Sequence, residues 1–270
     1  MVFSFSRGFI FFGLPKSGST SLHYLLSRYG ELVFSRIENG KHETCQRLRS
    51  NCDAFFTQHP YEEFLKFGVI REPTSLVRSW YRVWSNPALA NPHHPAHNRW
   101  LDGKSIDEFI DILETQHLFD GAESFYRMDD GSLGVDYLIR LDRIKQDTEA
   151  LEGVLPINIS HELARTRFNP SYKGPTKGPG SNPDKVIDER IRKVFAKDME
   201  IYESVSSLNS KFLNSGWQAP DLKKAEKLFG RLYPQPYALG KQDKLYNTLK
   251  RWVPDPCMRL IQKLKQILSN

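Results

Sequence analysis

Lys16 lies in a run of small and hydroxyl-bearing residues, Gly13-Leu14-Pro15-Lys16-Ser17-Gly18-Ser19-Thr20-Ser21, between an apolar stretch and a segment with helical spacing. The first turn of a helix holds N–H groups without intrahelical partners, and the helix dipole there favours negative charge. Small residues let a phosphate or sulfate reach those donors, and one lysine adds a full positive charge. The chemistry such a loop suits is phosphoryl or sulfuryl transfer. The nucleoside triphosphate loop, GxxxxGK[ST], needs its lysine directly after the second glycine. Here Ser19 follows Gly18 and the lysine comes two positions before it, so that pattern is not met. On these residues alone, a Gly/Ser-rich turn that merely joins strand to helix stays open beside the anion cradle.

A second constellation follows the apolar run Phe67-Gly68-Val69-Ile70. It reads Arg71-Glu72-Pro73-Thr74-Ser75-Leu76-Val77-Arg78-Ser79-Trp80-Tyr81. Pro73 suits a first helical turn. Ser79, eight positions after Arg71, comes about two turns into that helix, where its hydroxyl and the guanidinium can share one phosphate.

Together these segments resemble the two cofactor motifs of sulfotransferases that use 3′-phosphoadenosine 5′-phosphosulfate (PAPS). Pro15-Lys16-Ser17-Gly18-Ser19-Thr20-Ser21 is similar to their 5′-phosphosulfate loop PKxGxTS, and Arg71 through Tyr81 is similar to their 3′-phosphate motif RxPxxxxxSxY. The resemblance covers roughly residues 8–205 and is nearest to the Golgi-carbohydrate-type and bacterial branch. There, Lys41-His42-Glu43-Thr44 before the strand ending in Arg71, and the later Gln116, Ile139-Arg140-Leu141-Asp142 and Asn169-Pro170-Ser171, match family landmarks. The chain departs from that branch at Glu72 for Asn, Leu76 for Arg and Asp142 for Glu, with Arg78 as a substitute for the charge missing at position 76.

The resemblance implies a nucleotide-kinase-like (P-loop-like) α/β fold and transfer of a sulfuryl group from PAPS to an acceptor hydroxyl. The acceptor is expected to be a carbohydrate or glycolipid, and the product adenosine 3′,5′-bisphosphate. Residues Pro15, Lys16, Ser17, Gly18, Ser19, Thr20 and Ser21 would hold the phosphosulfate, and Arg71 and Ser79 the 3′-phosphate. The Lys173-Gly174 loop would close over the nucleotide or, equally, is a solvated linker. No metal is implied.

The attacking hydroxyl must lose a proton, and a positioned His or Glu is the usual agent. His42 is the first choice, because it follows the first helix and precedes the second phosphate strand. Glu38 is the rival, since several carbohydrate sulfotransferases use a glutamate shortly after that helix; His59 comes third. His93, His94 and His97 read as solvated loop residues or as the lining of an acceptor cleft, and His23 as a packing residue.

These side chains need a scaffold. Phe9 to Gly13 is apolar on both faces, as a central parallel strand between helix layers is, and residues 21–29 put Leu22, Leu25 and Leu26 on one helical face. The same grammar recurs in the strand Phe67–Ile70 and a helix over 75–84. A third strand is expected over 135–141, and a helix over 106–113 with Ser105 and Glu108 as a capping box. One helix is expected over 183–204, burying Val186, Ile187, Ile191, Val194 and Phe195. The fold class is therefore α/β, a central parallel sheet flanked by helices. Residues 1–205 form the expected catalytic domain and 206–270 a basic helical extension.

Composition excludes several other classes. With 270 residues, 39% hydrophobic and 26% charged, the chain is an ordinary globular one. Its longest apolar stretch, Gly8 to Leu14, is well short of the roughly 18 to 20 residues a membrane span needs. Residues 1–12 lack a signal-peptide cleavage pattern, and Cys45, Cys52 and Cys257 make no disulfide framework, so a reducing cytoplasmic setting is expected. The net charge of +6 is concentrated in residues 221–270, which carry 11 Lys/Arg against 4 Asp/Glu. The main domain lacks the basic, aromatic-interleaved stripe of a nucleic-acid binder. A tail helix over 255–268 would pack on the body or lie peripherally on an anionic membrane. An ATP-dependent small-molecule kinase and a catalytically inactive nucleotide-binding scaffold remain the alternatives.

Overall fold

The computed structural model describes residues 1–35, 41–51, 56, 60–94, 96–116, 121–163 and 182–219. Its strands β1 (Val2–Ser4), β2 (Phe9–Phe12), β3 (Leu32–Val33), β4 (Leu65–Ile70) and β5 (Tyr137–Arg140) form one sheet in the order β3-β1-β2-β4-β5. The helices among the described residues are α1 (Ser19–Leu26), α2 (Cys45–Asn51), α3 (Pro73–Trp84), α4 (Ile106–Gln116), α5 (Ala122–Tyr126), α6 (Ile144–Glu152), α7 (Ser160–Leu163), α8 (Asn182–Val194) and α9 (Ala196–Leu213).

Strands β2, β4 and β5 are parallel, as their apolar runs suggest. Side chains alternate between faces along a strand, and here both faces are covered. Phe9, Phe11, Phe67 and Val69 pack with Leu22 and Leu25 of α1. Ile10, Phe12, Ile70 and Leu138 pack on the other side with Leu48 of α2 and Ile201 of α9. Beyond β2 the sheet is mixed. Ahead of the strand expected from Phe9 the opening residues add a second one and make a hairpin, because the chain reverses at Gly8 (φ 64°) and β1 runs antiparallel to both β2 and β3.

The single helix expected over 183–204 is two. The chain breaks at Phe195 (φ −106°, ψ 40°), and each half serves a different layer. Ile191 of α8 packs with Val77 and Trp84 of α3 and Phe109 of α4, while α9 turns onto the sheet. Val186, expected on the buried side, is 66% exposed. The boundary expected at 205/206 falls inside α9, whose Asn209 serves the sheet edge. Its amide oxygen accepts from the Leu138 N–H and its amide nitrogen donates to the Leu138 carbonyl, both at 2.9 Å, so it pairs β5 as a neighbouring strand would. The tail helix expected over 255–268 lies outside the described residues.

Register places the functional loops at one sheet edge. Phe12 of β2 faces Gly68 of β4, and Ile70 of β4 faces Arg140 of β5. The loops that follow these strands therefore leave at the carboxyl end, where open α/β sheets bind their ligands.

Candidate anion-binding site

Leu14 organises the loop between β2 and α1. Its carbonyl accepts from the Ser17 hydroxyl (2.6 Å), the Ser19 hydroxyl (2.9 Å) and the Ser17 N–H (3.4 Å). Three donors on one carbonyl draw the loop into a tight arch. Ser17 and Ser19 are buried, so their hydroxyls brace the loop from within, while Gly18 and Thr20 are exposed and Ser21 is half-buried. Pro15 is buried beside them.

The arch requires left-handed backbone at two positions. Gly18, the N-cap of α1, has φ 81° and supplies no side-chain cap. Lys16 has φ 64°, a conformation that costs a residue with a Cβ about 1–2 kcal/mol. A Cβ added at Gly18 would come within 2.7 Å of Leu141 Cδ1, which shows the loop after β5 seated against this one. With no side-chain cap, the first-turn N–H groups of α1 have neither an intrahelical acceptor nor a cap.

Arg71 joins the two motifs. Its Nη1 donates to the Lys16 carbonyl at 3.1 Å and its Nε to the Ser75 hydroxyl at 2.8 Å. The hydroxyl nearest this guanidinium is thus Ser75, one turn into α3. Ser79 lies one turn further along the same face, half-buried, and its hydroxyl makes no hydrogen bond to the described residues. Arg78, expected to replace the missing charge at position 76, instead gives its Nε (3.0 Å) and Nη2 (2.8 Å) to Asp188 of α8. At the start of α3 the Glu72 carboxylate accepts the Ser75 N–H at 2.8 Å and the Thr74 hydroxyl.

The electrostatics are one-sided. Burial, then the charges of Arg71 and Arg82, hold the Lys16 ammonium below its usual pKa. Arg82 is the residue the sequence reading missed. Its signal was the spacing of Ser75, Ser79 and Arg82, which repeats every turn of α3.

His42 reaches the same loop: its Nδ1 lies 2.5 Å from the Gly13 carbonyl. A carbonyl only accepts, so Nδ1 carries the hydrogen of that bond. Glu38, His59, Lys173 and Gly174 lie outside the described residues. In the proline-rich loop, His97 Nδ1 pairs with the Leu89 carbonyl at 2.7 Å and His94 Nδ1 accepts from the Ala96 N–H at 3.1 Å, so both brace the loop. His23 packs as expected. It is buried with Nε2 2.9 Å from the Phe34 carbonyl, and burial pushes its pKa down to about 4. Arg140 and Tyr202 both reach Asp142, at 2.9 and 2.8 Å, beside the Leu141 contact.

Among the described residues no group of three or more His, Cys, Asp or Glu side chains is placed to hold a metal ion, and no helix is long and apolar enough to cross a membrane. Comparison with protein-family models, with curated proteins and with solved structures finds no match.

Proposed function

We propose that this protein is a sulfotransferase that moves the sulfuryl group of PAPS to an acceptor hydroxyl, on a nucleotide-kinase-like scaffold. One observation carries the reading. Lys16 is half-buried in a strained loop at an open helix N-terminus, and the charges that act on it, Arg71 and Arg82, are both positive. Cations gathered at an uncapped helix start form a site that an anion completes. The order of the two motifs, each after a buried parallel strand, favours PAPS over ATP, because the lysine precedes Gly18 where the triphosphate loop has it follow.

In this reading the N–H groups from Gly18 to Thr20 and the Lys16 ammonium take the 5′-phosphosulfate, while Arg71 and Ser79 take the 3′-phosphate. The acceptor oxygen attacks sulfur in line with the bridging oxygen. One S–O bond forms as the other breaks, and adenosine 3′,5′-bisphosphate leaves with the electron pair. Lys16 neutralises the charge that grows on the bridging oxygen, a term that is commonly the largest in such transfers. The acceptor proton passes to a base, and His42 is the described candidate. Its Nδ1–H donates to the carbonyl of Gly13, the first residue of the loop that carries Lys16. The acceptor is proposed to be a carbohydrate or glycolipid and the protein cytoplasmic, with the tail helix as the segment for any peripheral membrane contact.

Isothermal calorimetry with adenosine 3′,5′-bisphosphate and with ATP plus magnesium tests this reading. Binding of the bisphosphate in preference to ATP is expected. Binding of ATP alone would hand the site to a small-molecule kinase, and bisphosphate binding without turnover on any acceptor would make the protein a scaffold.

A further inference from the structure

Ion pairs tie α8 to its neighbours through Asp188, Arg190 and Arg192, and the last of these contacts differs from the other two. Arg78 of α3 gives its Nε and Nη2 to Asp188, at 3.0 and 2.8 Å. Arg190 donates to Asp107 at 3.0 Å and also to Asp111 of α4. Arg192 Nη2 stands 3.9 Å from Glu72 Oε1, too far for a hydrogen bond. Its side chain is 59% exposed, and its donors meet no acceptor among the described residues. Glu72 Oε1 is in turn buried without a hydrogen-bond partner among them. The two charges face each other, and neither satisfies the other.

The helix geometry puts this guanidinium beside Arg71. Along α8, Arg192 comes one turn after Asp188; along α3, Glu72 comes about 9 Å before Arg78. The two helices therefore run in opposite directions, and Arg192 reaches the start of α3. There Glu72 links it to the site: the other carboxylate oxygen accepts the Ser75 N–H at 2.8 Å, and the Ser75 hydroxyl accepts from Arg71 Nε at 2.8 Å. One carboxylate separates Arg192 from the Arg71–Ser75 pair.

We propose that Arg192 is a further binding residue for the nucleotide's 3′-phosphate, turning from Glu72 onto the phosphate that Arg71 and Ser79 hold. The inference rests on the sulfotransferase reading and deepens it at the same site. A phosphate bound there stands near the unpartnered Glu72 oxygen, and the two anions repel. A second guanidinium offsets that repulsion. It also gains the paired, charge-assisted hydrogen bonds that the 3.9 Å contact with Glu72 does not supply. Leaving Glu72 costs little, because an exposed ion pair is weak and a long side chain moves from one oxyanion to the next by changing rotamers.

The test compares adenosine 3′,5′-bisphosphate with adenosine 5′-monophosphate, which lacks the 3′-phosphate, by isothermal calorimetry at fixed ionic strength. Arg192→Gln should weaken bisphosphate binding about tenfold or more, the effect of one lost charge-assisted contact, and leave the monophosphate affinity unchanged. Arg192→Lys should restore part of the loss. Lys193→Gln, which removes the next exposed charge on α8, should change neither affinity. An Arg192→Gln protein that binds the bisphosphate as wild type does overturns the proposal and leaves the sulfotransferase reading standing. So does an equal loss for both nucleotides, the mark of a disturbed helix rather than of a missing phosphate contact. Wild type that binds neither nucleotide overturns the sulfotransferase reading and this proposal with it.

Discussion

The two strand–loop–helix units look alike in sequence and end differently. The β2–α1 unit begins its helix at Gly18, in left-handed backbone and without a side-chain cap. The β4–α3 unit begins its helix at Glu72, whose carboxylate takes the Ser75 N–H, with Pro73 in the first turn. An acidic cap satisfies a helix start and fills it with negative charge. The same fold element is thus open to an anion in α1 and closed to one in α3. In the proposed reading, α1 would meet an anion through backbone donors, while α3 would contribute side chains: Arg71 before the cap and Ser79 along its outer face. The strain at Lys16 fits this division, since a costly backbone conformation persists where surrounding contacts over-determine it.

The largest effect is expected at the open end. Lys16→Ala should lower kcat by about 100- to 1000-fold at saturating PAPS, the cost of losing one preorganised donor to developing charge. Near-normal turnover would remove the lysine from the chemistry. A comparable loss, about 100-fold or more in kcat, is expected for His42→Ala, with bisphosphate affinity unchanged, because proton removal does not involve the nucleotide. An unimpaired His42→Ala enzyme would pass the role to Glu38, which Glu38→Gln then tests.

Making the two ends alike should sharpen the contrast. Thr20→Asp would put a carboxylate in place of an exposed hydroxyl in the first turn of α1, and should weaken bisphosphate binding at least about tenfold by placing negative charge where the anion goes. The mirror change, Glu72→Gln, should leave bisphosphate affinity within a few-fold while costing stability of about 1 kcal/mol through a weaker cap, read by chemical denaturation.

A smaller effect separates the buried side of α1 from its ligand side. His23 is held neutral in the fold with a pKa of about 4, so the unfolded chain binds a proton that the folded one does not. Stability should fall as pH drops from about 6.5 to about 4, by roughly 3 kcal/mol from this group. His23→Gln should be less sensitive across that window by a similar amount. An unchanged slope would mean that other groups govern acid stability.

Both parallel units were legible because a strand apolar on both faces can only lie between two helix layers, and the loops after them carried their chemistry in residue type. Less legible features depended on contacts between distant segments. Nothing near Lys193-Val194-Phe195-Ala196 signals a break, since no glycine or proline stands there. The chain turns because α8 and α9 pack on different layers. The β1 hairpin was hidden because β1 is only three residues long, too short for an alternating pattern to show. At the site, the motif paired Arg71 with Ser79, and its spacing did not show that the Arg71 guanidinium would meet Ser75. Residue type likewise gave no sign that the Ser17 and Ser19 hydroxyls would turn inward onto Leu14, so that the proposed anion contacts fall to N–H groups.

That last distinction can be read directly. The backbone amide spectrum of ¹⁵N-labelled protein, recorded while adenosine 3′,5′-bisphosphate is added, reports each N–H separately. The amides of Gly18, Ser19 and Thr20 should shift strongly and saturate with the binding isotherm, while those of Thr74 and Ser75, under the Glu72 cap, should move little. Strong shifts at Thr74 and Ser75 with Gly18 to Thr20 unmoved would contradict the account.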